Sequence, residues 1–351
     1  MKAIDVLIIG GGIAGMSLAG RLSRRARVTL LEQETMLAYH TTARSAALYS
    51  EMYGNAAVRR LTCQSRPFFE RPPTGFCERP LLSPRPSLFV ARPEYAAKLA
   101  HELARGAGVA RPLSLAELHA RMPALRKDIF AAAGEEPGSA DIDVHGLYEG
   151  FRKMALHQGA SIRVGCEVLG ITPRSRDWVV ITREEHIQAP VVVNAAGAWA
   201  GVLGATAGLG DRGLTPLRRT AVLIDPPDGV EVSNWCHVDD VGGDFYFKPD
   251  AGLILASPVD ETPSPPCDAQ PEDIDVATIA SRIEEVTTLQ VRRIRRKWAG
   301  LRTFTPDRTP LFEFDAQAAG FFWLAGQGGF GVQTAPAVSA LAEERIVQYL
   351  A

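Results

Sequence analysis

The sequence has little of several features that would place it in a specialised class. Its 351 residues include five cysteines, an odd number with neither a Cys-x-x-Cys pair nor metal-like spacing, so we predict reduced thiols and no metal site. The formal net charge is -2, which predicts no nucleic-acid partner. No apolar run is long enough to predict a transmembrane segment, and no basic leader precedes the first apolar run, so we expect a cytoplasmic protein.

The composition that remains is typical of a folded globular protein. Hydrophobic residues make up 46% of the chain and charged residues 22%, enough apolar surface for one large core or two smaller ones. We therefore expect two domains. The one basic cluster, residues 292–297, is interpreted as a solvated face that leads into a strand.

The first thirty residues carry the strongest local signal. An apolar run, Val6 to Ile9, meets a glycine turn and a helical pattern, and a second apolar run ends at Glu32. This order predicts a βαβ nucleotide-binding unit, in which glycines make the turn and let the backbone approach a pyrophosphate, and the acid accepts ribose hydroxyls. The predicted contacts are Gly10, Gly12, Ile13, Ala14, Gly15, Glu32 and Gln33.

The Gly-x-Gly-x-x-Gly pattern is weak evidence by itself, because it occurs at residues 10–15, 208–213 and 326–331. The second match follows no strand and is interpreted as a glycine loop. The third follows an apolar strand, but the chain ends before another strand and an acid. Only the first has the complete context of a nucleotide site, for FAD or NAD.

The rest of the chain predicts an α/β fold. We expect a Rossmann-like domain with a parallel sheet, helices and a small antiparallel sheet, formed by residues 1–80, 141–213 and 299–351. An α+β substrate domain with an antiparallel sheet is predicted for residues 81–140 and 214–298. Predicted helices cover 56–69, 93–106, 114–121, a stretch from about 145 to 159, 273–289 and 333–350. Predicted strands cover 161–164, 167–171, 178–181, 190–197, 218–224, 244–248 and 252–256, with an irregular edge strand within 77–91.

Two further segments are candidates for cofactor contact. Thr42, Arg44 and Ser45 follow the second strand, where the chain returns toward the pyrophosphate; they are either phosphate or flavin contacts or simply caps of a helix start, and the two roles are compatible. Gly197 ends the apolar strand 190–197 and has no side chain to keep a cofactor away.

Seven segments together resemble the D-amino acid oxidase (DAO) family of FAD enzymes across essentially the whole chain. They are residues 10–15, 42–47, 80–86, 193–199, 245–250, 298–302 and 327–334. Within the family the chain is most similar to D-arginine dehydrogenases, and it is also similar to glycine and sarcosine oxidases. The resemblance implies noncovalent FAD and oxidation of a carbon–nitrogen bond next to a carboxylate, giving an imine that water hydrolyses. No metal or Ser-His-Asp set is needed, because the cofactor supplies the redox chemistry.

The same resemblance implies roles for particular residues. Arg302 matches the arginine that binds the substrate carboxylate, and guanidinium offers the fork of donors that a carboxylate accepts. Further substrate-pocket positions are Arg219, Tyr246, Tyr53, Gly329, Gln333, Ser87 and Leu48. Further cofactor positions are Ala46, Val168, Trp199, Gly328, Gly329, Gly331, Val332, Gln333 and Thr334.

Arg302, Tyr246 and Arg219 also have purely structural interpretations. Arg302 would be an ordinary surface arginine at a strand end, Tyr246 a residue alternating out of a sheet, and Arg219 one of a solvated pair with Arg218.

The pocket departs from the D-arginine dehydrogenase pattern at two positions. Ser87 stands where those enzymes have an acid that holds a cationic side chain, and Leu48 replaces a histidine. We therefore predict a neutral or apolar D-amino acid as the substrate and D-arginine as a poor one, unless Glu51 or Asp244 takes over the lost role.

Two alternatives remain at this point. One is an N-substituted glycine or other secondary amino acid, as in glycine oxidases, and the other is a nucleotide-binding module without turnover. The electron acceptor is oxygen, a quinone or another acceptor.

Overall fold

The computed structural model describes residues 4–351. Within that range the helices are α1 (Ile13–Leu22), α2 (Ala56–Glu70), α3 (Ala96–Arg105), α4 (Leu115–Arg121), α5 (Val144–His157), α6 (Ala200–Thr206), α7 (Asp273–Val286) and α8 (Gly331–Leu350). The strands are β1 (Val6–Ile9), β2 (Val28–Leu31), β3 (Leu48–Tyr49), β4 (Leu82–Pro84), β5 (Ser87–Ala91), β6 (Arg111–Leu113), β7 (Ala132–Glu136), β8 (Ala140–Ile142), β9 (Ser161–Arg163), β10 (Val168–Arg174), β11 (Asp177–Thr182), β12 (His186–Ala189), β13 (Val191–Asn194), β14 (Thr215–Ile224), β15 (His237–Asp240), β16 (Tyr246–Asp250), β17 (Leu253–Ser257), β18 (Thr262–Pro263), β19 (Ile294–Phe304), β20 (Leu311–Phe314) and β21 (Phe321–Ala325).

A six-stranded, mostly parallel sheet forms the first layer of the fold, in the order β20-β21-β13-β1-β2-β9. Strands β1, β13 and β21 are buried at every position, as expected for parallel strands that are covered on both faces. Helices α1, α5 and α8 pack on one face, and α6 with the antiparallel sheet β10-β11-β12 packs on the other. The predicted α/β fold with a parallel sheet is confirmed.

A nine-stranded sheet forms the second large unit, in the order β18-β14-β17-β16-β15-β5-β7-β6, with β19 also paired to β14. Its outer face is apolar and packs on α4 and α7 through residues such as Val238, Phe247 and Ile283. Its inner face carries polar side chains. Because side chains alternate along a strand, the cross-strand register assigns these to one face: Ser87, Glu136, Arg219, His237, Asp239, Tyr246, Lys248 and Arg302.

One strand differs from its prediction. The segment 77–91 was expected to give an irregular edge strand, but Ser87–Ala91 lies inside the large sheet, between β15 and β7. The prolines that suggested an edge all precede residue 87, so every residue of β5 retains its N–H for the sheet. The prolines lie instead in and around β4 (Leu82–Pro84), which is an edge strand of the sheet β3-β8-β4, so the prediction is confirmed for residues 82–84 and wrong for residues 87–91.

The strand that carries Arg302 links the two units. β19 pairs with β14 along its length, and its C-terminal end meets the loop before α8, where the Gly328 N–H donates to the Thr303 carbonyl at 2.8 Å. The predicted boundary at residue 299 lies within this strand. The proposed division into two domains remains a prediction.

Candidate functional site

The first glycine turn has the close contacts that its sequence predicts. Gly10 has φ of +114°, and a Cβ there would lie 2.3 Å from the Ala195 carbonyl oxygen. A Cβ on Gly15 would lie 2.0 Å from the Gly10 carbonyl oxygen, so helix α1 packs on β1 only because the side chain is absent. The buried Tyr148 hydroxyl donates to the Gly11 carbonyl at 2.6 Å, a support that no sequence signal indicated.

A cavity of about 1080 Å³ opens at the carboxyl ends of β1 and β2. Glu32 borders it, and its carboxylate accepts the N–H groups of Gly11 at 2.7 Å and Glu34 at 2.9 Å, which fix its orientation. The predicted cofactor residues that line this cavity are Gly10, Gly12, Glu32, Gln33, Thr42, Val168, Gly197 and Trp199. A ribose bound here would meet the carboxylate next to a helix N-terminus.

Thr42 closes the N-terminus of α1. Its hydroxyl accepts the Ile13 N–H at 3.0 Å, and Gly12, the N-cap residue, has no side chain to do so. A phosphate placed at this helix start would contact the same N–H groups and the same hydroxyl, so the capping and the phosphate roles remain compatible.

Arg44 makes contacts within the protein that differ from those of a simple phosphate-binding residue. Its guanidinium donates to the carbonyls of Ala269 at 3.1 Å and Ala299 at 2.9 Å, and it pairs with Asp268. It therefore holds the segment 41–44 against the large sheet. Ser45, the next residue, lines a cavity at the inner face of the large sheet, whereas Ala46 borders a separate cavity.

The cavity at the inner face of the large sheet, of about 900 Å³, is here called the inner cavity. It continues from the first, since both are lined by Gly12, Thr41, Thr42, Ala195 and Gly197. The predicted residues that line it are Gly12, Ile13, Ala14, Thr42, Arg44, Ser45, Gly197, Arg219, Tyr246, Arg302, Gly328, Gly329, Gly331 and Val332. Among residues 4–351, its charged lining residues are the three arginines, and no Asp, Glu, His or Cys of that range lines it. The cavity therefore suits an anionic ligand group.

The glycine loop before α8 approaches this cavity closely. A Cβ on Gly329 would lie 2.6 Å from the Tyr53 hydroxyl oxygen and 3.0 Å from the Arg302 Nη1. The Gln333 and Thr334 side chains do not border the cavity: Gln333 bonds the Ser50 N–H and the Thr62 hydroxyl, and the Thr334 hydroxyl donates to the Phe330 carbonyl. The backbone of the loop, rather than these two side chains, faces the cavity.

Arg302 is the one lining arginine without an acidic partner within residues 4–351. Its Nη1 donates to the Tyr53 hydroxyl at 3.2 Å, while the nearby Glu261 pairs with Arg219 and Arg308 instead. Burial opposes its charge, but the oxygens of Tyr53, Tyr246 and Glu261 outweigh that effect and hold its pKa above the usual range. The guanidinium is cationic and has donors to spare for a ligand.

Arg219 lies on the same face of the sheet, diagonal to Arg302, because Leu217 pairs with Arg302 and Arg219 with Gly300. Its guanidinium donates to the Asp260 carbonyl at 2.8 Å and to Glu261 at 3.2 Å. Burial, and then the charge of Arg302, lower its pKa. Arg219 is thus already partnered and mainly adds positive potential to the cavity.

The remaining predicted positions are more distant from the cavity. Tyr53 reaches the site through its bond to Arg302. Ser87 is fully buried in β5, and its hydroxyl has no hydrogen-bond partner within residues 4–351. Leu48 is half-buried in β3 opposite Asp141. Neither Ser87 nor Leu48 borders either cavity, so neither is brought together with Arg302.

Sequence reasoning missed Asp239. It lies in β15 directly opposite Tyr246, on the inner face, and burial followed by the neighbouring Asp240 raises its pKa to about 7. No motif marks this residue, because only the pairing of β15 with β16 brings it next to Tyr246.

The chain matches a known protein family over nearly all of its length. A family model described as "DAO: FAD dependent oxidoreductase" matches residues 5–345. No helix within residues 4–351 combines the length and the apolar character required to cross a membrane.

Individual relatives are distant but extensive. Glycine oxidase of Geobacillus kaustophilus (strain HTA426) is 26% identical over 97% of this chain and 92% of its own length. Mitochondrial dimethylglycine dehydrogenase of Rattus norvegicus is 24% identical over 93% of this chain, but the match spans only 41% of that protein. The structure of FAD-bound L-alpha-glycerophosphate oxidase from Mycoplasma pneumoniae is similar with a TM-score of 0.86 at 21% identity, covering 99% of this chain and 95% of that one.

Proposed function

The chain belongs to the DAO family of FAD-dependent oxidoreductases, and we propose that it oxidises the carbon–nitrogen bond next to the carboxylate of a small neutral amino acid. The observation that carries this proposal is Arg302. It is a cationic guanidinium without an acidic partner in residues 4–351, and it lies against the Gly329 backbone at the inner cavity. A carboxylate would complete its hydrogen bonds.

The two joined cavities fit FAD, which is the family's cofactor. The glycine turn and Glu32 would hold the adenosine and pyrophosphate, and the backbone at Gly328 and Gly329 would lie at the flavin. When bound, FAD accepts a hydride from the carbon that bears the nitrogen, which leaves a carbon–nitrogen double bond for water to hydrolyse. No Cys or His of the described range, residues 4–351, lines the inner cavity, which supports noncovalent binding.

The protein's own contribution is to bind and orient the substrate. Arg302 would hold the carboxylate in a two-donor fork, with its rotamer set by the bond to Tyr53. Tyr246 extends from β16 toward the same cavity, and the buried sheet behind it limits the access of water. These groups hold the reacting carbon in one position, which is where rate enhancement by positioning arises.

The positive charge of the inner cavity favours a substrate that has a neutral side chain. The charged residues of the described range that line it are Arg44, Arg219 and Arg302, so a cationic side chain would meet like charges. This argues against D-arginine, even though the motifs resemble D-arginine dehydrogenases. A neutral D-amino acid would not meet this repulsion between like charges.

An N-substituted glycine is the second candidate, and the relatives favour it at least as strongly. Glycine oxidase matches nearly its full length to this chain, and dimethylglycine dehydrogenase is named for an N-substituted glycine. Both candidates use the same carboxylate contact and differ in whether the extra group is attached to the carbon or to the nitrogen.

Anaerobic mixing of the holoprotein with a substrate panel tests the proposal. The panel contains neutral D-amino acids, their L-enantiomers, N-alkyl glycines and D-arginine, and the readout is bleaching of the visible absorbance of the flavin. We expect a neutral D-amino acid or an N-alkyl glycine to bleach it fastest. Fastest reduction by D-arginine would overturn the neutral-substrate assignment, and absence of bleaching by every compound would overturn the proposed reaction.

We also infer a cytoplasmic location from five free cysteines, and oxygen or a quinone-type compound as the electron acceptor. Turnover measured with oxygen alone and with an added quinone distinguishes the two acceptors.

A further inference from the structure

Tyr53, the hydrogen-bond partner of Arg302, ends a turn formed by residues 50–53. The Tyr53 N–H donates to the Ser50 carbonyl at 3.4 Å, and the Met52 N–H donates to the Ser50 hydroxyl at 3.2 Å. A serine hydroxyl that bonds the backbone two residues further on is a common way to stabilise such a turn. The position of the Tyr53 side chain therefore depends on how Ser50 is held.

Two elements that are distant in the sequence hold the start of this turn. Glu136, the last residue of β7 in the large sheet, accepts the Ser50 hydroxyl at 2.6 Å and the Glu51 N–H at 2.7 Å, one with each carboxylate oxygen. From helix α8, the side-chain carbonyl of Gln333 accepts the Ser50 N–H at 3.1 Å. The turn is thus attached both to the large sheet and to the helix that begins at the glycine loop.

The Glu136 carboxyl group is committed to the turn. It is only 1% exposed, it does not line the inner cavity, and it forms no ion pair within residues 4–351. Burial raises its pKa, while the bonds from Ser50 and Glu51 act in the opposite direction. Burying a carboxyl group without a cation is costly, and the hydrogen bonds to the turn are what offset that cost.

The Tyr53 hydroxyl is the point at which this turn meets the inner cavity. It accepts Arg302 Nη1 at 3.2 Å, and it lies so near the loop that a Cβ on Gly329 would be 2.6 Å away. The Tyr53 ring packs edge-to-face on Phe330, with ring centroids 4.8 Å apart. A displacement of the turn would therefore break the bond that orients the Arg302 guanidinium.

We propose that Glu136 is a positioning residue for substrate binding. It fixes the turn 50–53, the turn fixes the Tyr53 hydroxyl, and that hydroxyl holds the Arg302 guanidinium ready for a carboxylate. This rests on the proposed function, because it takes Arg302 to bind the substrate carboxylate. A guanidinium already held in one orientation loses less side-chain entropy when its ligand binds. Glu136 itself contacts neither the substrate nor the cofactor and acts through Tyr53.

Binding of pentanoate to the FAD-loaded protein tests this assignment. Pentanoate has a carboxylate but no amine, so it cannot be oxidised, and its binding is measured by perturbation of the flavin spectrum. Glu136→Ala should weaken binding by about fivefold to tenfold, the value of about one hydrogen bond. Glu136→Gln should bind nearly as the wild type, because its amide can accept the Glu51 N–H and donate to the Ser50 hydroxyl oxygen.

Ser50→Ala is a milder second variant, which decides the matter if Glu136→Ala does not fold. It removes the hydroxyl that bonds Glu136 and leaves the bond from the Glu51 N–H in place. It should weaken pentanoate binding in the same direction as Glu136→Ala.

A double-mutant cycle with Tyr53→Phe tests whether Glu136 acts through the Tyr53 hydroxyl. Tyr53→Phe keeps a ring against Phe330 and removes the bond to Arg302. In this background, Glu136→Ala or Ser50→Ala should weaken pentanoate binding little further, because the link they disturb is already broken. Two independent effects would instead multiply.

Glu135→Ala is the matched control. Glu135 is the preceding residue of β7 and is equally buried, at 1% exposure, but it lies on the opposite face of the strand, where it pairs with Arg111 and Arg121. Its loss should lower the midpoint of thermal unfolding and leave pentanoate binding unchanged. Glu135→Gln replaces it if the alanine variant does not fold. Equal weakening of binding by the Glu135 variant would show that binding merely follows stability, and would overturn the assignment.

The outcomes separate the two proposals. If pentanoate does not bind the wild type, or binds Arg302→Ala equally well, the carboxylate site fails and the Glu136 assignment fails with it. If pentanoate binds through Arg302 but Glu136→Ala and Ser50→Ala bind it as the wild type does, the Glu136 assignment alone is overturned. Independent effects in the cycle with Tyr53→Phe also overturn it alone.

Discussion

At the residue scale, two arginines on one face of a sheet have different roles because their partners differ. Arg219 is bonded to the Asp260 carbonyl and to Glu261, so its charge is compensated within the protein. Arg302 donates instead to the neutral Tyr53 hydroxyl, and within residues 4–351 it has no ion pair with an acid. A guanidinium whose charge is not compensated locally provides more binding free energy to an anionic ligand than one that must first leave an acid.

Replacing Arg302 with Ala should lower kcat/KM by about a hundredfold or more, because the carboxylate loses its two-donor contact and the reacting carbon loses its position. Arg302→Lys should recover only part of the loss, since an ammonium group is a point charge without a fork. Steady-state kinetics measure both effects, and the flavin content should stay at the wild-type level. Arg295→Ala, on the exposed end of the same strand, is the control; equal kinetics for Arg302→Ala and Arg295→Ala would contradict the role.

His237 should make stability depend on pH in one direction. Burial lowers its pKa to about 3, with a further contribution from Lys248, so the unfolded chain binds a proton below pH 6.5 that the folded protein does not. Its contribution to the free energy of unfolding therefore falls as pH decreases from about 6.5 toward 3, by at most about 1.4 kcal/mol per pH unit. Urea unfolding of His237→Asn at pH 7 and pH 5 should show a smaller loss on acidification than the wild type.

Asp239 should change the stability of the fold with pH in the direction opposite to that of His237. Its pKa is raised to about 7, so the folded protein retains a proton that the unfolded chain releases above about pH 4, and its contribution falls as pH rises toward 7. Asp239→Asn should thus gain stability relative to the wild type at pH 8 and not at pH 4. Between pH 4 and 6.5 the two effects oppose each other. Identical pH profiles for both variants and the wild type would contradict the assigned shifts.

At the scale of elements, the site is formed where β19 ends against the glycine loop that opens α8. The bond from the Gly328 N–H to the Thr303 carbonyl joins the two, and it brings Arg302 against the Gly329 backbone. The carboxylate-binding side chain and the loop at the flavin are therefore positioned by one contact between elements. A side chain added at that contact would disturb both.

Gly329→Ala should reduce activity severely while FAD remains bound. The new Cβ would lie 2.6 Å from the Tyr53 hydroxyl oxygen and 3.0 Å from Arg302 Nη1, too close for either side chain to keep its position. Activity assays measure the loss, and flavin absorbance measures the bound FAD. Full activity of Gly329→Ala would show that the loop does not constrain the site as described.

At the scale of the whole molecule, the cavity for the cofactor lies between structural layers. Its outer part is bordered by β1, β2 and the segment 195–206, and its inner part by strands β14, β16 and β19 of the large sheet. A cofactor in this groove contacts both sheets, so its binding free energy adds to the stability of the folded protein.

The purified protein should be yellow, and acid precipitation should release FAD into the supernatant, because no Cys or His in the part of the chain that the structure describes lines the inner cavity. Removing FAD should lower the midpoint of thermal unfolding, and adding it back should restore the midpoint. At a free FAD concentration 100 times the dissociation constant, the gain is about 2.7 kcal/mol. Flavin that remains with the precipitate would contradict noncovalent binding, and an unchanged midpoint would contradict the coupling.

Local patterns in the sequence determined the nucleotide unit and most helices. The order of β1, α1 and β2, the close approach of Gly15 to the Gly10 carbonyl and the position of Glu32 all follow from the first 32 residues. Helix starts were also predictable, because Asn55 caps α2 and Ser114 caps α4 through bonds within a few residues. These features depend on neighbours in the chain, which the sequence displays directly.

Tertiary structure decided the features that depend on pairing between distant strands. The sequence could not show that β5 lies inside the large sheet, that Ser87 is buried without bordering the cavity, or that Asp239 lies beside Tyr246. Each depends on strand order and register, and a shift of one residue would turn every side chain of a strand to the other face. Only the folded sheet, with α4 and α7 covering its apolar side, determines that Arg302, Tyr246 and Asp239 face inward.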